Sequence, residues 1–165
     1  MKNVTLRQPL TLHEAQQIRQ WRNDPSVFPI LRTGYKSEAD QEAFYWEHIY
    51  WPWWKRLLKT PEHLYYAVQI GEHCVGVTGL TYLTKVPGEA EISLVLGPQY
   101  RKVGIGPKAV DLILLEAWRL GLHAVIGECY AFGNVGFWRR QAERYKVPFT
   151  RNKQGSWVWR WERPA

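Results

Sequence analysis

The stretch Gly97–Ala109, which reads GPQYRKVGIGPKA, constrains the fold more than any other part of the chain. An apolar segment over residues 90–96 precedes it and predicts a strand, and a helical pattern over residues 108–120 follows it. Gly104 and Gly106 stand just before that helix, where the absence of a side chain lets the backbone approach a ligand closely. Because a helix N-terminus presents unpaired N–H groups and the positive end of the helix dipole, this arrangement predicts a site for a phosphate or pyrophosphate.

Two common nucleotide-binding loops do not fit this stretch. It lacks the GKS or GKT ending of a P-loop, and its glycine spacing is not the GxGxxG of a dinucleotide-binding fold. Pro107 has no N–H to offer, but its fixed φ suits the first turn of a helix, so it removes one donor without breaking the loop. The residues alone leave two interpretations open: a phosphate-binding loop, and a tight turn built by Gly104 and Gly106.

The loop residues Arg101-Lys102-Val103-Gly104-Ile105-Gly106 resemble the R/Q-x-x-G-x-G/A motif of the GNAT N-acetyltransferase superfamily. Leu6-Arg7 and the stretch Trp21–Pro25 are similar to the branch that contains ribosomal-protein N-terminal acetyltransferases and amino-sugar acetyltransferases. The resemblance covers nearly the whole chain and implies an α/β (α+β) fold. It implies one domain over residues 1–165, with a central mixed, mostly antiparallel sheet of about seven strands flanked by about four helices.

The order of the predicted elements agrees with this fold. A capping box at Thr11 and Glu14 predicts the first helix, and the second is expected after Ser37 and up to Pro52. Later helices are predicted over residues 108–120 and 134–144. Alternating or apolar runs predict strands over residues 4–7, 64–70, 74–80, 90–96, 123–130, 147–150 and 157–161.

The resemblance implies acetyl-CoA as co-substrate and no metal. Its pyrophosphate would be held by backbone N–H groups around Arg101, Lys102, Val103, Gly104, Ile105 and Gly106. Its pantetheine arm would bond along Leu94, Val95 and Leu96 and contact Asn134, and a backbone N–H near Leu94 would polarise the acetyl carbonyl. The expected reaction is direct transfer of the acetyl group to a primary amine, either a protein N-terminus or an amino sugar or other small amine.

Two carboxylates are candidates for the general base, and the general acid is less certain. Glu91 and Glu128 lie on the two predicted strands beside the expected amine entrance; the alternative for each is a solvated or paired carboxylate. In the family a tyrosine seven residues after the asparagine serves as general acid, but here that residue is Gln141. Tyr145 and Tyr130 are alternative candidates for the general acid, and protonation by solvent is a third possibility. The missing tyrosine also leaves open a sensor that binds acyl-CoA without turnover.

Charge and aromatic content keep a second class of function open. The chain has 22 Lys and Arg against 15 Asp and Glu, a formal net charge of +7, and ten Trp. This excess predicts an acceptor that is anionic overall; the alternative is a basic, Trp-rich protein that binds or modifies nucleic acid on a GNAT scaffold. The Trp cluster between Trp46 and Trp54 would line an acceptor pocket or fill the core.

Cysteine usage and hydropathy predict the cellular setting. Cys74 and Cys129 lie far apart, without the spacing of a disulfide framework or a zinc site. The N-terminus lacks the apolar run of a signal peptide, and no stretch approaches the roughly 18 apolar residues of a membrane span. We therefore expect a cytoplasmic protein without a membrane partner, either a monomer or a homodimer.

Overall fold

The computed structural model describes residues 3–25, 35–50, 62–83, 85–129 and 134–164. Within them it has seven strands: β1 Val4–Arg7, β2 Leu64–Ile70, β3 His73–Thr81, β4 Glu89–Leu96, β5 Ala124–Cys129, β6 Thr150–Arg151 and β7 Trp157–Glu162. The α-helices of the same residues are α1 Leu12–Arg22, α2 Glu38–Phe44, α3 Ile105–Arg119 and α4 Val135–Arg144. A π-helical turn at Tyr45–Tyr50 continues α2, and a 3₁₀ turn at Pro98–Tyr100 follows β4.

The strands form one sheet in the order β1-β2-β3-β4-β5-β7-β6. Neighbouring strands are antiparallel except β4 and β5, which are parallel. The prediction of a mixed, mostly antiparallel sheet of about seven strands with about four helices is confirmed.

Local sequence explains where the first helices begin. Thr11 caps α1 and Ser37 caps α2, each in a reciprocal capping box with the acidic residue three positions on. The box at Thr11 was predicted, and so was the end of α1 before Asn23. Pro52 and the tryptophans at positions 51, 53 and 54 lie outside the described residues, as does Tyr130.

Two predicted boundaries are wrong. Helix α3 begins at Ile105, three residues before the predicted start, because Pro107 fits inside the first turn of a helix. The last short strand is Thr150–Arg151, not residues 147–150. Val147 and Phe149 precede this strand, and their apolar side chains pack against the core between α3, α4 and the sheet.

Two helical layers cover the two faces of the sheet. Helices α3 and α4 pack on one face, where Leu64 and Tyr66 of β2 point toward them. Helices α1 and α2 pack on the other face, toward which Ala67 of β2 points. The alternation along β2 follows from the two-residue period of a strand. No helix of the described residues is long and apolar enough to cross a membrane.

Candidate active site

Strands β4 and β5 pair only at their first residues. The register joins Glu89 to Ala124, Ala90 to Val125 and Glu91 to Ile126, and no further pair joins the two strands in the described part of the chain. Beyond this point β5 continues to pair with β7 as far as Cys129. The two parallel strands therefore separate toward their C-terminal ends and leave an edge of β4 open from Ile92 onward.

A cavity of about 330 Å³ lies at this opening. Its wall combines α1, α2 and Tyr65 of β2 with β3, β4 and β5, and the start of α4 closes it. Five residues predicted for the site contribute to the wall: Glu91, Leu94, Val95, Glu128 and Asn134.

The loop after β4 ends in an open helix N-terminus. Arg101 folds back along the strand, and its Nε donates a hydrogen bond to the carbonyl oxygen of Leu96 at 3.0 Å. Gly104, which precedes α3, has φ +83° and offers no side-chain cap. Because the first N–H groups of α3 have no capping side chain, they are available to an anion. Lys102 and Val103 are exposed beside them.

Gly106 has a packing role that the sequence did not reveal. A Cβ at this position would lie 2.9 Å from Cε2 and 3.2 Å from Cζ of Phe137, which belongs to α4. The missing side chain thus lets the first turns of α3 and α4 touch. This contact brings Asn134, which precedes α4, to the same end of the sheet as the open N-terminus of α3.

The strand, the loop and the open helix N-terminus that the sequence motif predicts are present, and the strand lies beside a cavity. The Acetyltransferase (GNAT) domain family matches residues 3–139. This chain belongs to the GNAT acetyltransferase family. No curated protein sequence matches the chain.

Solved GNAT structures share the fold over almost the entire chain. One is spermidine N-acetyltransferase from Vibrio cholerae in complex with CoA and spermine, 16% identical, with a TM-score of 0.74 over 95% of this chain and 92% of that chain. Another, assigned as a ribosomal-protein-serine acetyltransferase from Vibrio cholerae, is 19% identical, with a TM-score of 0.71 over 99% of this chain and 95% of that one. The Microcin C7 self immunity acetyltransferase MccE in complex with acetyl-CoA and AMP is 14% identical, with a TM-score of 0.71 over 97% and 92%. At such identities the likeness shows the fold.

The residues of this GNAT chain fit acetyl-CoA, the co-substrate of the family. The uncapped N-terminus of α3 suits its pyrophosphate, and the open edge of β4 suits its amide-bearing arm. Leu94 and Val95 lie on that edge beside the cavity. Leu96, which ends β4, and residues 101–106, which run into the first turn of α3, do not line it. The individual roles of these residues stay predictions. The described residues contain no group of three or more His, Cys, Asp or Glu that could hold a metal ion.

The two candidate bases of the GNAT site lie on neighbouring strands. Glu91 stands on β4 at the last pair before the strands separate, opposite Ile126 of β5. Glu128 stands on β5 beyond that point, and its Oε1 accepts a hydrogen bond from Nδ2 of Asn152 at 3.2 Å. Both line the cavity.

Tyr145 is not brought to the cavity. It follows α4, its ring packs against Trp161 at 5.7 Å, and its hydroxyl donates a hydrogen bond to Asp111 of α3. Burial and the bond to this carboxylate raise the pKa of Tyr145 well above the usual value for tyrosine. The geometry gives Tyr145 a place in the packing between α3 and the sheet, away from the cavity.

Sequence reasoning missed an aromatic wall on the acceptor side of the cavity. Its members come from α2, the segment before β2, β2 itself and the end of β3: Phe44, His63, Tyr65 and Tyr82. Neighbouring rings are 5.4 to 6.2 Å apart. Burial lowers the pKa of His63 and raises that of Tyr65, so both side chains are neutral near pH 7. The two-residue spacing of His63 and Tyr65 at the start of a strand is the one sequence feature that places them on a common face.

One thiol also faces the cavity. Cys129 ends β5 and is buried, and this burial raises its pKa to about 11. A nucleophilic cysteine requires the thiolate form, which is scarce at neutral pH for such a group. The raised pKa of Cys129 therefore gives no support to a mechanism with an acetyl-cysteine intermediate.

Proposed function

We propose that this GNAT acetyltransferase transfers the acetyl group of acetyl-CoA to a primary amine by direct attack. The observation that carries the proposal is one cavity that is lined both by the open edge of β4 and by the carboxylates Glu91 and Glu128. Such a cavity holds both substrates together, and positioning alone supplies a large part of the acceleration in bimolecular group transfer.

The chemistry balances with the groups present. Bound acetyl-CoA supplies the thioester whose carbonyl is attacked. A bond forms between the amine nitrogen and the acetyl carbon, the bond from that carbon to sulfur breaks, and the amine's proton passes to a carboxylate of the cavity. The departing thiolate takes its proton from solvent. The high pKa of Cys129 supports attack by the amine itself.

We infer that the acceptor is a small amine or the exposed N-terminus of a protein. The charged groups of the described wall are Glu91, Glu128 and Arg22, so the basic excess of the whole chain does not extend into the cavity. The expectation of an acceptor that is anionic overall stays a prediction. Among the structural neighbours, one spermidine acetyltransferase is seen with spermine, a polyamine, which places a cationic acceptor on the panel to be tested.

Among the tryptophans that the structure describes, the nucleic-acid alternative finds little support. It requires tryptophans exposed beside basic residues, but Trp21, Trp138, Trp159 and Trp161 are buried, at 8% exposure or less. Trp46 is 40% exposed. A location in the cytoplasm and a monomeric or homodimeric state stay predictions.

The test is an acetyl-transfer assay in which release of CoA is followed with a panel of amines. The panel contains a polyamine, an aminoglycoside, a nucleotide-linked amino sugar and peptides with free N-termini. Acetyl-CoA-dependent acetylation of one of them, found on its nitrogen by mass spectrometry, supports the proposal. Absence of transfer to every amine, with acetyl-CoA bound, would leave a sensor that binds acyl-CoA without turnover.

A further inference from the structure

The turn between β6 and β7 reaches the cavity wall through one side chain. Asn152 lies in this turn, and its amide nitrogen contacts the Glu128 carboxylate described above. The contact is possible because β7 lies between β5 and β6 in the sheet, and residue 128 of β5 pairs directly with Val158 of β7. A turn distant in the sequence thereby supports a carboxylate at the cavity.

The turn fixes the orientation of Asn152. Its Oδ1 accepts hydrogen bonds from the backbone N–H groups of Gln154 at 3.0 Å and Ser156 at 2.9 Å. Its own backbone N–H donates to the carbonyl oxygen of Ser156 at 2.8 Å, and its carbonyl accepts from Gly155 at 3.0 Å. Because Oδ1 must face two N–H donors, the amide cannot be flipped, and Nδ2 faces Glu128.

This bond occupies one of the two carboxylate oxygens of Glu128. Within the described residues the other oxygen, Oε2, makes no hydrogen bond. A carboxylate held by one oxygen keeps a fixed rotamer and retains an acceptor for a proton in the cavity. Positioning of this kind by a neighbouring side chain is how a base is kept within reach of its substrate.

We propose that Asn152 is a positioning residue that holds Glu128 by one carboxylate oxygen, so that the other accepts the proton of the acceptor amine. The inference rests on the proposed function and assigns the base to Glu128 rather than Glu91. Asn152 does not line the cavity; it acts through Glu128.

Asn152→Asp tests the hydrogen bond that Nδ2 of Asn152 donates to Glu128. The aspartate retains an oxygen for the two backbone N–H groups, so the turn is kept, but it cannot donate to Glu128 and places a second negative charge beside it. We expect the acid limb of the kcat/KM profile to move up by about one pH unit, which lowers kcat/KM by about tenfold on the acid side of the limb and changes it little above the limb. Gln154→Ala, in the same turn, is the matched control and should keep the wild-type profile.

Two further variants identify the group whose ionisation produces the acid limb of the kcat/KM profile. Glu128→Gln should abolish it and lower kcat/KM by about a hundredfold or more, whereas Glu91→Gln should leave it in place. The Glu128→Gln profile also separates this limb from ionisation of the amine itself. A purely structural role for Asn152 would lower the unfolding temperature of Asn152→Ala and leave the profile of Asn152→Asp unchanged.

The outcomes separate this inference from the proposed function. A wild-type profile in Asn152→Asp, or a limb that is lost with Glu91→Gln instead, overturns the inference while the enzyme still acetylates amines. If no amine is acetylated, the proposed function has failed, and the role of Glu128 as base fails with it. A ¹³C NMR titration of the Glu128 carboxyl provides the check without turnover: an unchanged midpoint in Asn152→Asp also overturns the inference.

Discussion

Replacing Gly127 by alanine is expected to disrupt the aromatic layer behind the cavity. Gly127 of β5 pairs with Trp159 of β7, and a Cβ at position 127 would lie 1.9 Å from both Cε2 and Cζ2 of that indole and 2.4 Å from its Nε1. Trp159 is 2% exposed and stacks on Trp138 with the ring centres 4.8 Å apart. Its ring therefore cannot move away without displacing Trp138, which lines the cavity.

The expected loss of stability lies at the upper end of the range for overpacked cores. An added methylene in a well-packed core costs about 1 to 3 kcal/mol, and here the added atom meets a rigid, buried ring. We expect a loss of about 3 kcal/mol in the free energy of unfolding. For a chain of 165 residues, this loss corresponds to a fall in Tm of roughly 6 to 12 °C.

Gly136→Ala is the matched control. Gly136 lies in α4, and the nearest atom to a Cβ there is Nη1 of Arg140 at 3.5 Å, an ordinary contact. Alanine is favoured over glycine in a helix by up to about 1 kcal/mol, so this variant should match or exceed the wild-type Tm. Urea unfolding followed by tryptophan fluorescence gives the free energy of unfolding of both variants, and thermal unfolding gives their Tm. A Gly127→Ala protein with a Tm within about 2 °C of wild type would refute the packing described for Trp159.

Three other predictions follow from the pKa directions. Cys129→Ala should keep kcat within about twofold, because the pKa of the thiol is raised to about 11 and the thiolate is scarce; intact-protein mass spectrometry that finds acetyl on Cys129 during turnover would contradict this. Tyr145→Phe should lower stability by about 1 kcal/mol through loss of the bond to Asp111 and leave kcat nearly unchanged; a hundredfold loss of kcat would identify Tyr145 as the general acid. Burial lowers the pKa of His63 below its unfolded value, so protonation favours the unfolded state, and stability should fall as pH drops below about 6.5. Urea midpoints between pH 5 and 8 should show a weaker fall for His63→Gln, and equal slopes would contradict the prediction.

Local patterns predicted most of the fold. The capping box at Thr11 placed α1, and the two-residue period placed β2 at its observed bounds. Gly104 and Gly106, which stand before the predicted helix, indicated an open helix N-terminus, which the structure contains at Gly104. These features depend on residues that are close in the sequence, and for this reason they can be read without coordinates.

The rest depends on contacts between distant residues. The pairing of Gly106 with Phe137 and the support of Glu128 by Asn152 each join separate elements, and neither leaves a trace in a local pattern. The strand predicted over residues 147–150 failed for a related reason, since an apolar run can pack against a core without joining the sheet. Tyr145 was considered because it lies one helical turn beyond Gln141, but its hydroxyl is directed to Asp111.

The central claim is that acetyl-CoA binds with its pyrophosphate at the N-terminus of α3. Calorimetric titration with acetyl-CoA of the wild type, Gly104→Asp and Gly104→Asn tests it most directly. A Cβ at position 104 has no atom within 4 Å, and both variants carry the same backbone strain at φ +83°, so they differ mainly in charge. We predict that the wild type binds, and that the aspartate variant binds at least tenfold more weakly than the asparagine variant. Absence of binding to the wild type, or equal binding by the two variants, would contradict the claim.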